Sequence, residues 1–169
     1  QKRLSFFSHK NPTVDIFIPV AGEDVEVIRA TVLAAKEITY PHGVFILDDG
    51  KSDEVEQLAK EADVQYIRRK HNKHAKSGNI NHGLQYSEAD FFAIIDADFV
   101  ADKRFLVELL PFMEDPEVAF VQSPQYYTNT DNFIARGTAG AQEIFYNYVL
   151  PARNSSDSVF CVGTNVLFR

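Results

Sequence analysis

Two short acidic motifs stand where hydrophobic runs stop. Asp48-Asp49-Gly50 follows Val44-Phe45-Ile46-Leu47, and Asp96-Ala97-Asp98 follows Phe91-Phe92-Ala93-Ile94-Ile95. Carboxylates gathered at one place repel one another unless a positive charge sits between them. A divalent cation carrying a phosphorylated substrate is the simplest such charge. Magnesium is commonly held by one or two carboxylates and completes its shell with water and phosphate oxygens. In a strand, residues i and i+2 project to the same side, so Asp96 and Asp98 can reach one bound group. Gly50 can take a positive φ, which would fold a tight turn that presents Asp48 and Asp49. Each motif also has a plainer reading: the first as a solvated Asp-Gly turn, the second as a strand end capping the next helix. Two acidic strand ends in one chain favour the chemical reading.

A third group is basic. His71-Asn72-Lys73-His74-Ala75-Lys76-Ser77-Gly78-Asn79 concentrates positive charge in a chain of net charge −7. Lys76 precedes Ser77-Gly78 at an expected helix start, where a lysine and free backbone N–H groups suit a diphosphate. On charge alone the segment also reads as a solvated loop, and His74 as a surface histidine.

The elements that must position these groups follow from hydrophobic period and turn chemistry. Val14–Pro19 is a strand ended by proline. From Asp24, the apolar residues Val25, Ile28, Val32 and Ala35 recur at helical spacing. After the turn Tyr40-Pro41-His42-Gly43, Val44–Leu47 is a second strand. Ser52 is the expected N-cap of a helix reaching Ala62. Val64–Ile67 is a third strand, and a helix is expected over 78–86. Phe91–Ile95, continuously apolar, reads as a central strand. Asp102 should cap a helix over 103–113, and Val118–Val121 a fifth strand. Within 129–149, the spacing of Phe133, Ala141, Phe145 and Tyr148 predicts a helix over the second half, lying across the sheet. Val159–Cys161 and Asn165–Phe168 flank a Gly-Thr turn. Strands alternating with helices specify an α/β fold, a doubly wound and mostly parallel sheet with flanking helices. Such sheets bind ligands beyond the carboxyl ends of their strands, where both acidic motifs lie. Residues 1–12 read as a tail and 13–169 as one domain, the length suiting one core rather than two.

Composition removes several classes. The negative charge argues against nucleic acid as a partner. Cys161 has no second cysteine for an internal disulfide, which fits a reducing compartment. Set in an apolar run expected to be a strand, it reads as a core residue rather than a nucleophile. No apolar run reaches the ~18 residues of a bilayer span, and no signal peptide is visible. The histidines lack partners at zinc-ligand spacing. No Walker loop, no Gly-x-Gly-x-x-Gly after the first strand and no Gly-x-Ser-x-Gly occurs. The chain begins at Gln1 and its one methionine is Met113, so it is expected to be a piece of a longer polypeptide.

Taken in order, six segments carry a resemblance. Ile16-Phe17-Ile18-Pro19, Asp48-Asp49-Gly50, His74-Ala75-Lys76-Ser77-Gly78-Asn79, Asp96-Ala97-Asp98, Gln122-Ser123-Pro124 and Phe160-Cys161-Val162-Gly163-Thr164-Asn165 together resemble family 2 glycosyltransferases. The similar subgroup is the processive one typified by bacterial cellulose synthase. The resemblance implies a GT-A (Rossmann-like) fold, a UDP-sugar donor, expected to be UDP-glucose, and Mg²⁺ or Mn²⁺. The implied reaction is inverting transfer to a growing β-linked polysaccharide acceptor such as cellulose. By position, Pro19 and Glu23 would border the donor, Asp48 and Asp49 the uridine, Lys76 the diphosphate and Asp96 the nucleotide, with Asp98 on the metal. Gln122, Cys161, Gly163 and Thr164 would line the donor-sugar and acceptor region.

Two departures stand out. Where the family commonly shows Thr-Tyr-Asn-Glu after the first strand, this chain has Val20-Ala21-Gly22-Glu23, keeping only the acid. The Thr-Glu-Asp motif that supplies the general base and the Gln-x-x-Arg-Trp acceptor motif would lie beyond Arg169. The resemblance therefore implies a donor-binding part, inactive alone, of a protein whose membrane helices hold it at the cytoplasmic face of the inner or plasma membrane. Two other readings remain. A nucleotidyltransferase would bring a Gly-rich basic loop after the first strand, which Val20–Glu23 is not. A degenerate GT-A domain serving as a nucleotide-binding or regulatory module would be favoured by the altered loop.

Overall fold

The computed structural model describes residues 11–126 and 133–169, without the side chains of 133–136. Its elements are β1 (Val14–Val20), α1 (Val25–Lys36), β2 (Gly43–Asp48), α2 (Asp53–Ala62), β3 (Gln65–Arg68), α3 (Ala75–Gly83), β4 (Phe91–Ile94), α4 (Phe105–Leu109), β5 (Phe120–Gln122), α5 (Phe133–Ile144), α6 (Leu150–Asn154) and β6 (Val166–Phe168). One six-stranded sheet runs in the order β3-β2-β1-β4-β6-β5. The pairs β3–β2, β2–β1 and β1–β4 are parallel, and β6 runs antiparallel to both neighbours. The sheet is therefore mixed, with its parallel half carrying the acidic strand ends.

Central strands buried on both faces must be apolar throughout, and β1 shows the consequence. Ile16, Ile18 and Val20 enter a large core with Ile28 and Val32 of α1, Val55 and Leu58 of α2, and Leu106 of α4. Phe17 points the other way, joining Leu47 and Ile67 under Ile80 and Leu84. The α1 and α2 starts follow their caps: Asp24 accepts from Glu26 N and Ser52 from Val55 N, the local chemistry that favours these residues there.

Several boundaries differ from expectation, each for a physical reason. The helix after Asp102 is short: α4 stops at Leu109 and a 3₁₀ segment, Leu110–Glu114, follows. Pro111 lies in that junction, where it cannot donate to the α ladder. Asp102 still caps the turn, accepting from Arg104 N at 2.7 Å. The helix expected over 78–86 begins earlier as α3 and ends in a 3₁₀ turn, Leu84–Tyr86. The fifth strand is displaced to Phe120–Gln122. Val159–Cys161 form no strand. The helix expected in the second half of 129–149 is present as α5, continued by a π turn over Phe145–Val149 into α6. Pro151 near the start of α6 removes one backbone donor, and an i→i+5 turn accommodates such a gap. Residues 1–10 of the expected tail, and 127–132, lie outside the described residues.

Candidate functional site

At the carboxyl ends of β1, β2 and β4 the chain forms a cleft of about 440 Å³, lined by Pro19, Val20, Ala21, Glu23, Asp49, Asn72, Ala75, Lys76, Asn79, Asp96, Ala97 and Asp98. Of the residues expected at a donor, Pro19, Glu23, Asp49, Lys76, Asp96 and Asp98 therefore share one cavity. Asp48 does not line it.

The reason lies in what Asp48 does. Its side chain is fully buried and accepts from Lys51 N and Ser52 N, both at 2.8 Å, and from Tyr66 Oη at 2.6 Å. Two backbone donors of the turn into α2 are thereby satisfied. Burial and then the Asp48 hydrogen bond push the Tyr66 phenol well above its ordinary range. Gly50 does not take the positive φ expected of it; Lys51 does, at 58°. What Gly50 provides is closeness, since a Cβ there would sit 2.9 Å from Gly22 N and 3.3 Å from Ala21 C. The β2 turn thus lies flat against the loop after β1.

Asp49 is held as firmly. Arg69 grips it in fork geometry, Nε to Oδ1 at 2.5 Å and Nη2 to Oδ2 at 2.6 Å, with both side chains 8% exposed. Hydrogen bonding to Asp49 raises the Arg69 pKa above its ordinary value, outweighing the effect of burial. Asp49 N donates to Val20 O at 2.8 Å, tying β2 to β1. Arg69, just before the basic group His71–Asn79, was not among the expected site residues. No local signal marks it: Arg68 and Arg69 are adjacent arginines, and only the structure shows Arg68 exposed and Arg69, just past the end of β3, buried.

The second acidic motif is more open. β4 stops at Ile94, and Asp96 and Asp98 occupy a turn in which Phe99 N donates to Asp96 O at 3.0 Å. Strand alternation is therefore not what brings them together; the turn is. The Asp96 carboxylate is paired with Lys76, whose ammonium also donates to Gly163 O at 2.7 Å. Asp98 is exposed and has no hydrogen-bond or ion-pair partner among the described residues.

The segment from Cys161 to Asn165 borders this arrangement. Thr164 is buried, and its Oγ1 accepts from Asp96 N at 2.9 Å. Gly163 adopts φ +91°. Gln122 organises the same segment, donating to Phe160 O and accepting from Val162 N, both at 3.0 Å. Cys161, expected in a buried strand, is half-buried in a loop, where its Sγ lies 3.3 Å from Gly163 N. Glu23 accepts from Ala21 N at 2.7 Å, so the Val20–Glu23 loop closes on itself.

Electrostatically, Asp49 is balanced by Arg69 and Asp96 by Lys76. Glu23 and Asp98 have no counter-charge among the described residues, leaving the cleft attractive to a cation. Among the described residues no group of three or more His, Cys, Asp or Glu is placed to hold a metal. A single open carboxylate does fit a hard divalent ion that keeps most of its shell for water and phosphate oxygens.

A cellulose synthase catalytic subunit [UDP-forming] of Pseudomonas fluorescens (strain SBW25) is 34% identical over 167 residues, covering 94% of this chain and 23% of that protein. Cellulose synthase 1 of Komagataeibacter xylinus is 35% identical over 94% of this chain and 11% of its own length. The chain thus spans about a quarter or less of these curated relatives. Among solved structures, glucosyl-3-phosphoglycerate synthase from Mycobacterium tuberculosis, in complex with Mn²⁺, uridine-diphosphate and glucosyl-3-phosphoglycerate, superposes with a TM-score of 0.63 at 16% identity, over 93% of this chain and 56% of that one. S. aureus TarS 1-349 superposes with a TM-score of 0.60 at 16% identity, over 71% and 37%. These neighbours are GT-A glycosyltransferases, and the mixed sheet with its flanking helices is that fold. The match to the family described as Glycosyl transferase family 2 runs from residue 15 to residue 169, and the chain belongs to that family.

Proposed function

We propose that the cleft binds the nucleoside diphosphate of a UDP-sugar, and that the chain is the donor-binding part of an inverting hexosyltransferase. UDP-glucose is the donor we favour, and the acceptor is a growing β-linked polysaccharide such as cellulose. The observation that carries this reading is that a lysine and an open acid, Lys76 and Asp98, line the same cavity. The relatives named UDP-forming cellulose synthase and the neighbour solved with Mn²⁺ and UDP support it. So does the neighbour TarS solved with UDP-GlcNAc.

Asp98, with Asp96 beside it, would hold Mg²⁺ or Mn²⁺, which when bound neutralises negative charge on the departing diphosphate. Lys76 exchanges its bond to Gly163 O for a diphosphate oxygen, keeping Asp96 as its counter-charge. Its positive charge then stabilises the leaving group. Asp49 and the backbone of Val20–Glu23 form the wall for the uridine, and Gly163 and Thr164 bring the Cys161–Asn165 segment to the sugar. Inverting displacement also needs a base at the acceptor hydroxyl. As the family resemblance implies, the base is supplied by a part of the protein outside these residues, and on this reading the chain alone binds donor without transferring sugar. No helix among the described residues is long and apolar enough to cross a membrane. In this reading the membrane helices belong to the parent protein, at whose cytoplasmic face the domain works.

Calorimetric titration of the chain with UDP and Mn²⁺, against ADP and GDP, tests the proposal. A UDP-selective, metal-dependent response that disappears in Asp98→Ala is expected. A folded chain that responds to none of the three nucleotides overturns it.

A further inference from the structure

We propose that Arg69 is a positioning residue of the donor cleft: gripped by Asp49, it fixes the turn before α3 and so sets where Lys76 stands. The inference rests on the donor reading for the ligand and on geometry alone for the anchoring.

A guanidinium offers five N–H donors in a rigid plane. Beyond the two that meet Asp49, Nη1 donates to Lys73 O at 2.7 Å and Nη2 to Ala75 O at 2.9 Å. Those carbonyls flank His74, and the backbone there is unusual. His74 has φ 63° and Ala75 φ 43°, two successive non-glycine residues in the left-handed region, which is unfavourable without outside support. Arg69 supplies that support from inside the protein, bonding on both sides of the strained residue. Asn72 adds a second tie, donating to Asp49 O at 2.7 Å. Gly78 packs against the same joint, where a Cβ would lie 2.7 Å from Arg69 Nη1 and collide with Lys73 O.

Lys76 follows this turn directly, in the first turn of α3. The direction in which its side chain leaves the backbone is therefore set by the Asp49–Arg69 pair rather than by Lys76 itself. A lysine at 69 would keep the charge opposite Asp49. It could not meet two carboxylate oxygens and two carbonyls at once, because its three donors radiate from a single atom.

The test uses Arg69→Lys, with Gly78→Ala as a second variant that crowds the joint while keeping both charged residues of the ion pair. Amide hydrogen exchange and UDP affinity in the presence of Mn²⁺ are measured on both. Exchange at residues 75–78 should rise roughly tenfold or more while that at Ile16–Ile18 and Ile46 stays unchanged, the mark of local rather than global opening. UDP affinity should fall roughly tenfold, the scale of one charge-assisted contact. Adding Arg69→Lys to Lys76→Ala should cost nothing further, since an arginine acting through the lysine is silent without it. Unchanged exchange at 75–78 in both variants overturns the anchoring whatever the nucleotide does. Full additivity of the two substitutions overturns the positioning role. A wild-type chain that binds no UDP while exchange responds as expected supports the anchor and sinks the donor reading instead.

Discussion

At the end of β2, Asp48 and Asp49 accept hydrogen bonds from Lys51 N, Ser52 N, Tyr66 and Arg69. At the end of β4, Asp96 shares the Lys76 ammonium and Asp98 faces solvent with no partner among the described residues. Both are acidic pairs past buried strands of one sheet. What separates them is how completely the surrounding chain satisfies their oxygens. A carboxylate with filled lone pairs and no exposure is a building element, because removing it leaves donors or an arginine stranded. A carboxylate left open at a cleft can take a ligand without disturbing anything else. The β2 pair builds the wall, and on the reading proposed for the cleft the β4 pair meets what binds inside it.

Substitution should expose that contrast most strongly at Asp49. Asp49→Ala strands the Arg69 guanidinium, whose side chain is 8% exposed, and loss of one partner from such a pair costs about 3–5 kcal/mol. Urea unfolding should show the midpoint falling accordingly; a loss below ~1 kcal/mol would mean that the pair behaves as a surface bridge and that the comparison fails on this side. Asp48→Asn comes next. The amide keeps one acceptor but turns N–H groups toward donors that had an oxygen, for a loss of about 2–3 kcal/mol. Its nucleotide response, measured where the variant is still folded, should survive, since Asp48 is absent from the cleft lining.

How much of this could be read from residues alone depended on distance along the chain. β1, α1 and α2 were legible because their signals are local: an unbroken apolar run, an i, i+3/i+4 period, and caps at Asp24 and Ser52. The break at Pro111 was written in the sequence too, inside the helix expected over 103–113. The partners of the acids were not legible. Tyr66 is 18 residues from Asp48, Arg69 is 20 from Asp49, and Thr164, which accepts from Asp96 N, is 68 from Asp96. Nothing local distinguishes an Asp-Gly turn that binds from one that builds. That difference is made by groups arriving from β3 and the residue after it, from α3 and from the segment after α6.

A smaller effect isolates the Tyr66 side of the β2 network. Tyr66→Phe removes the hydrogen bond to the Asp48 carboxylate and the acceptor of Arg68 Nε, for about 1.5–2 kcal/mol. The pH dependence is more telling. The folded chain holds the phenol proton to higher pH than the unfolded chain, which releases it near pH 10. Stability from this group is therefore complete below about pH 10 and is lost as pH rises beyond it, because the unfolded state then binds fewer protons. Unfolding midpoints followed from about pH 8 to pH 11 should fall less steeply in Tyr66→Phe than in the wild type. Some slope will persist, since burial and then the charge of Asp90 raise Tyr40 as well. Parallel slopes would remove Tyr66 as the partner that matters to Asp48.

The smallest stability effect should come from Asp98. Exposed and unpartnered among the described residues, it can be replaced by alanine with a change within about 0.5 kcal/mol, the usual range for such surface positions. On the reading proposed for the cleft, the same substitution abolishes the metal-dependent part of UDP binding and leaves the weak metal-independent part to Lys76. Asp48→Asn and Asp98→Ala should therefore cross: the first lowers the unfolding midpoint and keeps the Mn²⁺ response, the second keeps the midpoint and loses the response. Measuring both quantities on both variants separates a scaffold acid from a ligand acid without any assay of sugar transfer. If Asp98→Ala melts as Asp48→Asn does, the open carboxylate is structural after all and the two strand ends are not different in kind. If it melts normally and still answers to Mn²⁺, the ion is held elsewhere, and Asp96 with Glu23 becomes the pair to substitute next.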